Sequence, residues 1–164
     1  MITTLHIKNI GIIDDLSMEL GDGFNVLTGE TGAGKTLIID SINIICGGRF
    51  SKEMIRRGED YSFVELNLYL PNNELSIENN IIVSREIHSN GRNSCKINGR
   101  LVTLTELKDF MSNIIDIHGQ NDNQKILNPE YHIKYLDNFI GEQILQIKTG
   151  YKELYNKRQK IKKD

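Results

Sequence analysis

Apolar and polar residues alternate with a period of two in several parts of the chain, and this alternation predicts β-strands. The strands predicted in this way are Ile2–Ile10, Ile12–Leu20, Val64–Leu70, Ile81–His88 and Ser94–Asn98. The last two flank an Asn90-Gly91 turn signal, which indicates a hairpin. We therefore interpret residues 61–102 as a small antiparallel sheet inserted into an α/β framework. Two short apolar runs, Phe24–Thr28 and Ile114–Ile117, predict further strands.

Other segments have the period of a helix. Apolar residues recur at helical spacing after Lys35, and Gly47-Gly48 is expected to end that helix. Thr103 and Glu106 have the spacing of a capping box, which predicts a helix through Met111. Asn128 and Pro129 are typical of an N-cap and first helical residue, and Gly141 is expected to close that third helix.

The last part of the chain has a heptad pattern. Spacings of 3-4-3-4-3 separate Ile144, Ile147, Tyr151, Leu154, Arg158 and Ile161. The pattern predicts the start of a coiled coil over residues 142–164, following a head domain over residues 1–141. No glycine or proline stops this helix, so we expect the natural protein to continue beyond Asp164; an ordinary terminal helix packed on the domain is the alternative.

Composition excludes several classes of protein. The chain has 164 residues, of which 38% are hydrophobic and 26% are charged, as in ordinary globular proteins. A net charge of −2 excludes a wholesale cationic nucleic-acid binder, although a local basic patch is compatible with it. We expect no membrane association, since no apolar run approaches the ~18 residues of a membrane span. With no secretory signal and only Cys46 and Cys95, we expect a reduced, cytoplasmic protein.

A glycine-rich run carries the clearest chemistry. Residues 29–36 fit the phosphate-binding pattern G-x-x-x-x-G-K-[ST] at every constrained position: Gly29, Glu30, Thr31, Gly32, Ala33, Gly34, Lys35 and Thr36. Glycines let consecutive main-chain N–H groups face a phosphate, and the following helix adds its positive N-terminus. Lys35 can reach the β- and γ-phosphates, and the Thr36 hydroxyl can bind Mg²⁺. We predict a bound nucleoside triphosphate with Mg²⁺; the motif does not choose between ATP and GTP.

A second segment, residues 114–120, allows two interpretations. Asp116 could bind Mg²⁺ at the end of an apolar strand, and Asp116 to Gly119 would then imitate the D-x-x-G motif of G proteins. Alternatively, Gln120 could reach Mg²⁺ and orient an attacking water. The G-protein interpretation also requires an N-K-x-D motif, which this sequence lacks, so we favour Gln120.

Together, four segments resemble the N-terminal half of the RecN family of bacterial DNA repair ATPases, in the SMC-like branch of the ABC-type ATPases. They are Leu5–Ile10, Leu27–Thr36, Cys46–Arg49 and Asp116–Gln120. The resemblance covers nearly the whole chain. It implies an α/β P-loop half-head, ATP and Mg²⁺ as cofactors, Gln120 as the Q-loop glutamine and Arg49 as an accessory basic residue near the nucleotide.

The same resemblance implies partners. In this family a coiled coil separates the N-terminal head part from a C-terminal part that carries the signature motif, the Walker B acid and the catalytic glutamate, and none of these motifs is present in this sequence. ATP is held between two heads, and head engagement is coupled to holding DNA in double-strand break repair. We therefore expect this chain alone to be inactive. The rival hypotheses are a self-contained P-loop kinase or GTPase that uses Asp116, and a non-enzymatic coiled-coil assembly module.

Overall fold

A computed structural model describes residues 1–30, 32, 34–117 and 129–162. The chain divides into two compact units, residues 1–117 and residues 118–164. The first unit contains a β-sheet, two α-helices and a short 3-10 helix (Lys52–Met54), and the described part of the second contains two α-helices. Each unit is described by itself.

The first unit is built on one antiparallel sheet of six strands in the order β2-β1-β3-β4-β5-β6. The strands are β1 Ile2–Ile10, β2 Ile13–Glu19, β3 Tyr61–Tyr69, β4 Asn80–His88, β5 Asn93–Ile97 and β6 Arg100–Val102. The strands predicted by alternation in these regions are confirmed. The predicted inserted sheet is not separate, however, because β3 pairs directly with β1 over most of its length.

One face of the sheet forms the core. Leu5, Leu66, Val83 and Ile97 lie opposite one another on successive strands, and all four are buried. Helices α1 (Lys35–Ile45) and α2 (Leu104–Ser112) contribute further buried side chains to the same cluster: Ile44, Ile45, Leu107 and Met111. Burying one face of an antiparallel sheet in this way produces the period-two pattern seen in the sequence.

Helix α2 begins as the sequence predicts. The Thr103 hydroxyl accepts a hydrogen bond from the Glu106 N–H at 3.2 Å, and the Glu106 carboxylate accepts one from the Thr103 N–H at 2.7 Å. Both bonds of the predicted capping box are therefore present, and they satisfy two N–H groups that the helix itself leaves without partners.

The predicted strand at Phe24–Thr28 is wrong in this structure. These residues have no strand partner among the described residues, and the Phe24 side chain is 92% exposed. A strand requires a neighbour for its N–H and C=O groups, and an apolar sequence does not supply one by itself.

The predicted strand at Ile114–Ile117 is also wrong. The N–H groups of Ile114 and Ile115 both donate to the Met111 carbonyl, at 3.0 and 2.9 Å. The chain is therefore turned at the end of α2, and its partly buried isoleucines pack on the core there. The unsatisfied carbonyls of a helix C-terminus compete successfully with strand formation at this point.

The second unit contains α3 (Pro129–Ile140) and α4 (Glu142–Ile161), which confirms the two predicted helices. Lys148 on α4 forms an ion pair with Asp137 on α3. The α4 side chains of Ile147, Tyr151 and Leu154 are each about two thirds exposed, so these three heptad positions lie largely on the surface of the described part of this unit. Among the described residues, no helix combines the length and apolar character that a membrane crossing requires.

Candidate functional site

The glycine-rich loop ends at the first residue of α1. Gly32 and Gly34 have φ values of +86° and +93°, in the left-handed region that costs other L-residues about 1–2 kcal/mol. Gly34 is the N-cap of α1, and its carbonyl accepts the first helical hydrogen bond, from Ile38 N–H at 3.2 Å. Glycine at these two positions therefore lets the main chain turn from the loop directly into the helix.

The N-terminus of α1 has no side-chain cap. Among the described residues no side chain caps this helix end, and the first turn contains no acidic residue. The first N–H groups of a helix need acceptors, and the helix dipole makes this end favourable for negative charge. This end of α1 therefore favours an anionic partner.

The side chain of Lys35 folds back over the glycine-rich loop. Its ammonium donates to the carbonyl oxygens of Gly29 and Glu30, both at 2.5 Å. Within the described part of the chain it has no carboxylate within 4.0 Å. The positive charge is held by neutral carbonyl groups and can therefore be shared with phosphate oxygens.

These groups border an open cavity of about 300 Å³. It is lined by Ile12, Gly32, Gly34, Lys35, Thr36 and Leu37. Apart from the neighbours of Gly32 in the chain, no described residue has an atom within 4 Å of the position that a Cβ there would take, so the loop can approach a ligand closely. A cation, a hydroxyl and uncapped helix amides around one open space fit a Mg²⁺-bound triphosphate.

The structure does not gather every residue predicted from the sequence at this cavity. Arg49 follows the C-terminal end of α1 and lines a different cavity. Eleven residues of helix span about 16 Å, so Arg49 and Lys35 stand at opposite ends of α1. Thr31, Ala33 and Gln120 lie outside the described residues, and the rival candidate Asp116 is exposed.

Arg56 is a residue whose position beside the cavity the sequence did not reveal. Its Nη1 donates to the Ile12 carbonyl at 2.8 Å, and its Nε lies 4.0 Å from an Asp14 carboxylate oxygen. Arg56 therefore fixes the main chain of Ile12, whose side chain forms part of the cavity wall. No local pattern joins these residues, because the contact spans 44 positions in the sequence.

Comparisons with known proteins agree on one family. A family model described as an AAA domain matches residues 4–164. The DNA repair protein RecN of Bacillus subtilis is 36% identical over 174 aligned positions, which cover 99% of this chain and 30% of that protein. RecN of Halalkalibacterium halodurans is 39% identical over 166 positions, which cover 94% of this chain and 29% of that protein. The chain thus spans about 30% of the length of these relatives.

Solved structures share the fold. An SMC ATPase described in work on ATP-driven dimerization and DNA-stimulated activation matches with a TM-score of 0.65 and 23% identity, covering 84% of this chain and 98% of that one. The SMC head domain of Thermotoga maritima matches with a TM-score of 0.56 and 25% identity, covering 66% of this chain and 41% of that one. The predicted α/β P-loop fold is confirmed, as is the resemblance to RecN. The chain belongs to the AAA domain family, and its similarity to RecN proteins extends over nearly its whole length.

Proposed function

We propose that this chain is the ATP-binding part of an ATPase that acts in the repair of DNA double-strand breaks. The observation that carries the proposal is the N-terminus of α1, which no described side chain caps, with the Lys35 ammonium bound to the carbonyl oxygens of Gly29 and Glu30. The relatives named DNA repair protein RecN support the biological role.

Each residue of the loop has a proposed role. The main chain from Gly29 to Gly34 surrounds the phosphates, Lys35 neutralises the β- and γ-phosphate oxygens, and Thr36 binds Mg²⁺ through its hydroxyl. Bound ATP and Mg²⁺ supply the phosphoanhydride and the charge that hydrolysis needs. Gln120 is proposed to contact Mg²⁺ and the attacking water. Arg49, expected from the resemblance to lie near the nucleotide, lines the separate cavity beyond the other end of α1 and is not proposed as a contact of this nucleotide.

We further propose that the chain requires partners for activity. The first is the C-terminal part of its own head, and the second is another head that closes on the bound ATP. The exposed apolar side chains of Phe24, Val26 and Leu27 support the first partner, because a neighbouring strand would cover them. DNA is the proposed substrate of the complete assembly, in the cytoplasm at the nucleoid, and residues 142–164 are the proposed start of its coiled-coil stem.

The rival functions have less support. A self-contained kinase or GTPase would place Asp116 at the end of a core strand, whereas this residue follows a turn after α2. An assembly module would need neither an uncapped helix end nor a glycine-rich loop. Neither rival explains the similarity to RecN over nearly the whole chain.

Nucleotide binding by a protein that continues beyond Asp164, as the relatives do, tests the proposal. Isothermal titration with ATP and Mg²⁺ is compared for the unaltered protein, Lys35→Ala and Lys96→Ala. We expect Lys35→Ala to weaken binding at least about tenfold, since it removes a charge-assisted contact to phosphate. Lys96 is an exposed lysine on β5 and serves as the matched control. Equal affinity of the Lys35→Ala and unaltered proteins would overturn the proposal.

A further inference from the structure

Arg85 is a charged residue inside the apolar core. It lies on the inner face of β4, between Val64 on β3 and Cys95 on β5, and is only 4% exposed. Burial lowers the pKa of the Arg85 guanidinium from its ordinary value, with Cys95 acting in the opposite direction. A buried charge is costly unless other groups compensate it, so the groups around Arg85 determine how its charge is stabilised.

Only neutral groups bind this guanidinium. Nη1 donates to the carbonyls of Ile44 and Gly48, at 2.6 and 2.9 Å, and Nε donates to the Asn93 side chain at 3.2 Å. In the part of the chain that the structure describes, no carboxylate lies within 4.0 Å of it, and Nη2 donates to no residue. Arg85 therefore retains donors and a positive charge with no anion to meet them.

A cavity of about 400 Å³, the Arg85 cavity, opens beside this residue. Three further basic residues line it, Arg49, Lys52 and His88, together with main chain at Gly47, Gly48 and Gly91. No aspartate or glutamate is among the described residues that line it. Glu86 contacts His88 at 2.8 Å on the face of β4 opposite Arg85, so His88 is paired and adds no free charge, and Glu106 caps α2.

The Arg85 cavity is distinct from the P-loop cavity, which is the cavity lined by Gly32, Gly34 and Lys35 at the glycine-rich loop. The two share no lining residue, and they lie beyond opposite ends of α1. Arg49 and Lys52 have no carboxylate within 4.0 Å in the described ranges, so their charges are available to a ligand. The side chains of Arg49, Lys52 and Arg85, from two stretches of the chain, thus surround a space large enough for a small molecule.

We propose that the Arg85 cavity binds a phosphate group. Arg49 can donate two parallel hydrogen bonds to a phosphate, Arg85 retains Nη2 as a donor, and Lys52 adds a point charge, so these residues match a tetrahedral oxyanion with several oxygens. The phosphate can belong to a small phosphorylated molecule or to a DNA backbone. The inference does not depend on nucleotide binding at the P-loop.

A titration of the 164-residue chain with sodium phosphate at constant ionic strength tests the site. Lys35→Ala is present throughout, so that the P-loop lysine does not contribute. The amide NMR signals of Gly47, Gly48 and Gly91 report on the cavity. We expect these signals to shift in a saturable way, and the further double change Arg49→Gln and Lys52→Gln to weaken the affinity at least about tenfold.

The controls distinguish a specific phosphate site from non-specific electrostatic attraction of phosphate to the protein. Lys96→Gln removes an exposed charge away from the cavity and is expected to leave the affinity unchanged. The side chains of Arg49 and Lys52 make no hydrogen bond or ion pair within the described residues, so their replacement should leave the fold intact. Shifts that do not saturate, an affinity that the double change leaves unaltered, or equal weakening by Lys96→Gln would each overturn the proposal.

The source of the phosphate is distinguished in a second arm. A short duplex DNA is titrated in place of inorganic phosphate, with the same three glycine signals observed. Saturation by duplex at lower concentration than by phosphate, with strong salt dependence, would identify a backbone phosphate. Saturation by inorganic phosphate alone would identify a small phosphorylated ligand. Absence of shifts with both probes would refute the site.

Discussion

Gly47, shortly after the end of α1, packs very closely against Lys108 on α2. A Cβ at this position would stand 2.7 Å from the Cβ of Lys108, and the φ of Gly47 is +88°. Gly58 has a similar φ of +95°, but apart from its neighbours in the chain no described residue has an atom within 4 Å of the corresponding position. Both positions therefore require the left-handed backbone conformation that favours glycine. Only Gly47 also lacks room for a Cβ.

This pair allows a matched prediction. Gly47→Ala and Gly58→Ala should both destabilise the protein through backbone strain. Gly47→Ala should lower the free energy of unfolding by about 1–3 kcal/mol more, because the helix must also move away. Urea unfolding followed by circular dichroism measures the difference. Equal losses in the two variants would show that the contact with Lys108 relaxes easily.

At the residue scale, the sequence predicts sites formed by neighbouring residues and misses contacts between residues that are far apart in the chain. The residues of the P-loop are neighbours in sequence, so their spacing alone is enough to identify them. Arg56 reaches Ile12 across 44 positions, and Arg85 reaches Ile44 across 41. Contacts of this kind depend on the pairing of β1 with β3 and of β3 with β4, which no local spacing encodes.

At the scale of elements, the cap of α2 offers a direct test of helix stabilisation. Thr103→Ala removes the hydroxyl that accepts the Glu106 N–H, and is expected to lower the free energy of unfolding by about 1 kcal/mol. Thr105→Ala changes an exposed threonine within the first turn, which makes no cap bond, and is the control. Chemical denaturation measures the free energy of unfolding of both variants. Equal losses in Thr103→Ala and Thr105→Ala would mean that the capping box contributes nothing to stability.

The same cap predicts a dependence on pH. Hydrogen bonds from Thr103 lower the pKa of Glu106 below its ordinary value of 4.5. The ionised carboxylate therefore stabilises the folded state above that value, and the contribution is lost as pH falls through the lowered folded-state pKa. Glu106→Gln should reduce stability at neutral pH and progressively less below pH 4.5. A difference that stays constant through the acid range would contradict this account.

Elements whose stabilising interactions are local or periodic were predicted well. The capping box of α2 and the alternation along β1 and β3 both specify structure in their own residues. The two short apolar runs failed for a shared physical reason. Phe24–Thr28 and Ile114–Ile117 carry apolar side chains without any signal for which neighbour would bond their main chains, and in this structure neither becomes a strand.

At the scale of the whole molecule, each of the two units exposes large apolar side chains. Phe24 and Val26, just before the loop, are 92% and 63% exposed. Phe139 on α3 and Ile161 on α4 are 90% and 77% exposed. Exposed apolar side chains in several elements are typical of surfaces that other parts of a protein cover. The account therefore predicts that the loop depends on further chain for catalysis.

ATP turnover measured side by side in two proteins tests that central claim most directly. One protein is the 164-residue chain, and the other continues beyond Asp164 as the RecN relatives do. The account predicts no turnover by the chain alone, and turnover by the longer protein that Lys35→Ala reduces at least about a hundredfold, or roughly 2.7 kcal/mol of transition-state stabilisation. Steady hydrolysis by the 164-residue chain, lost on Lys35→Ala, would contradict it.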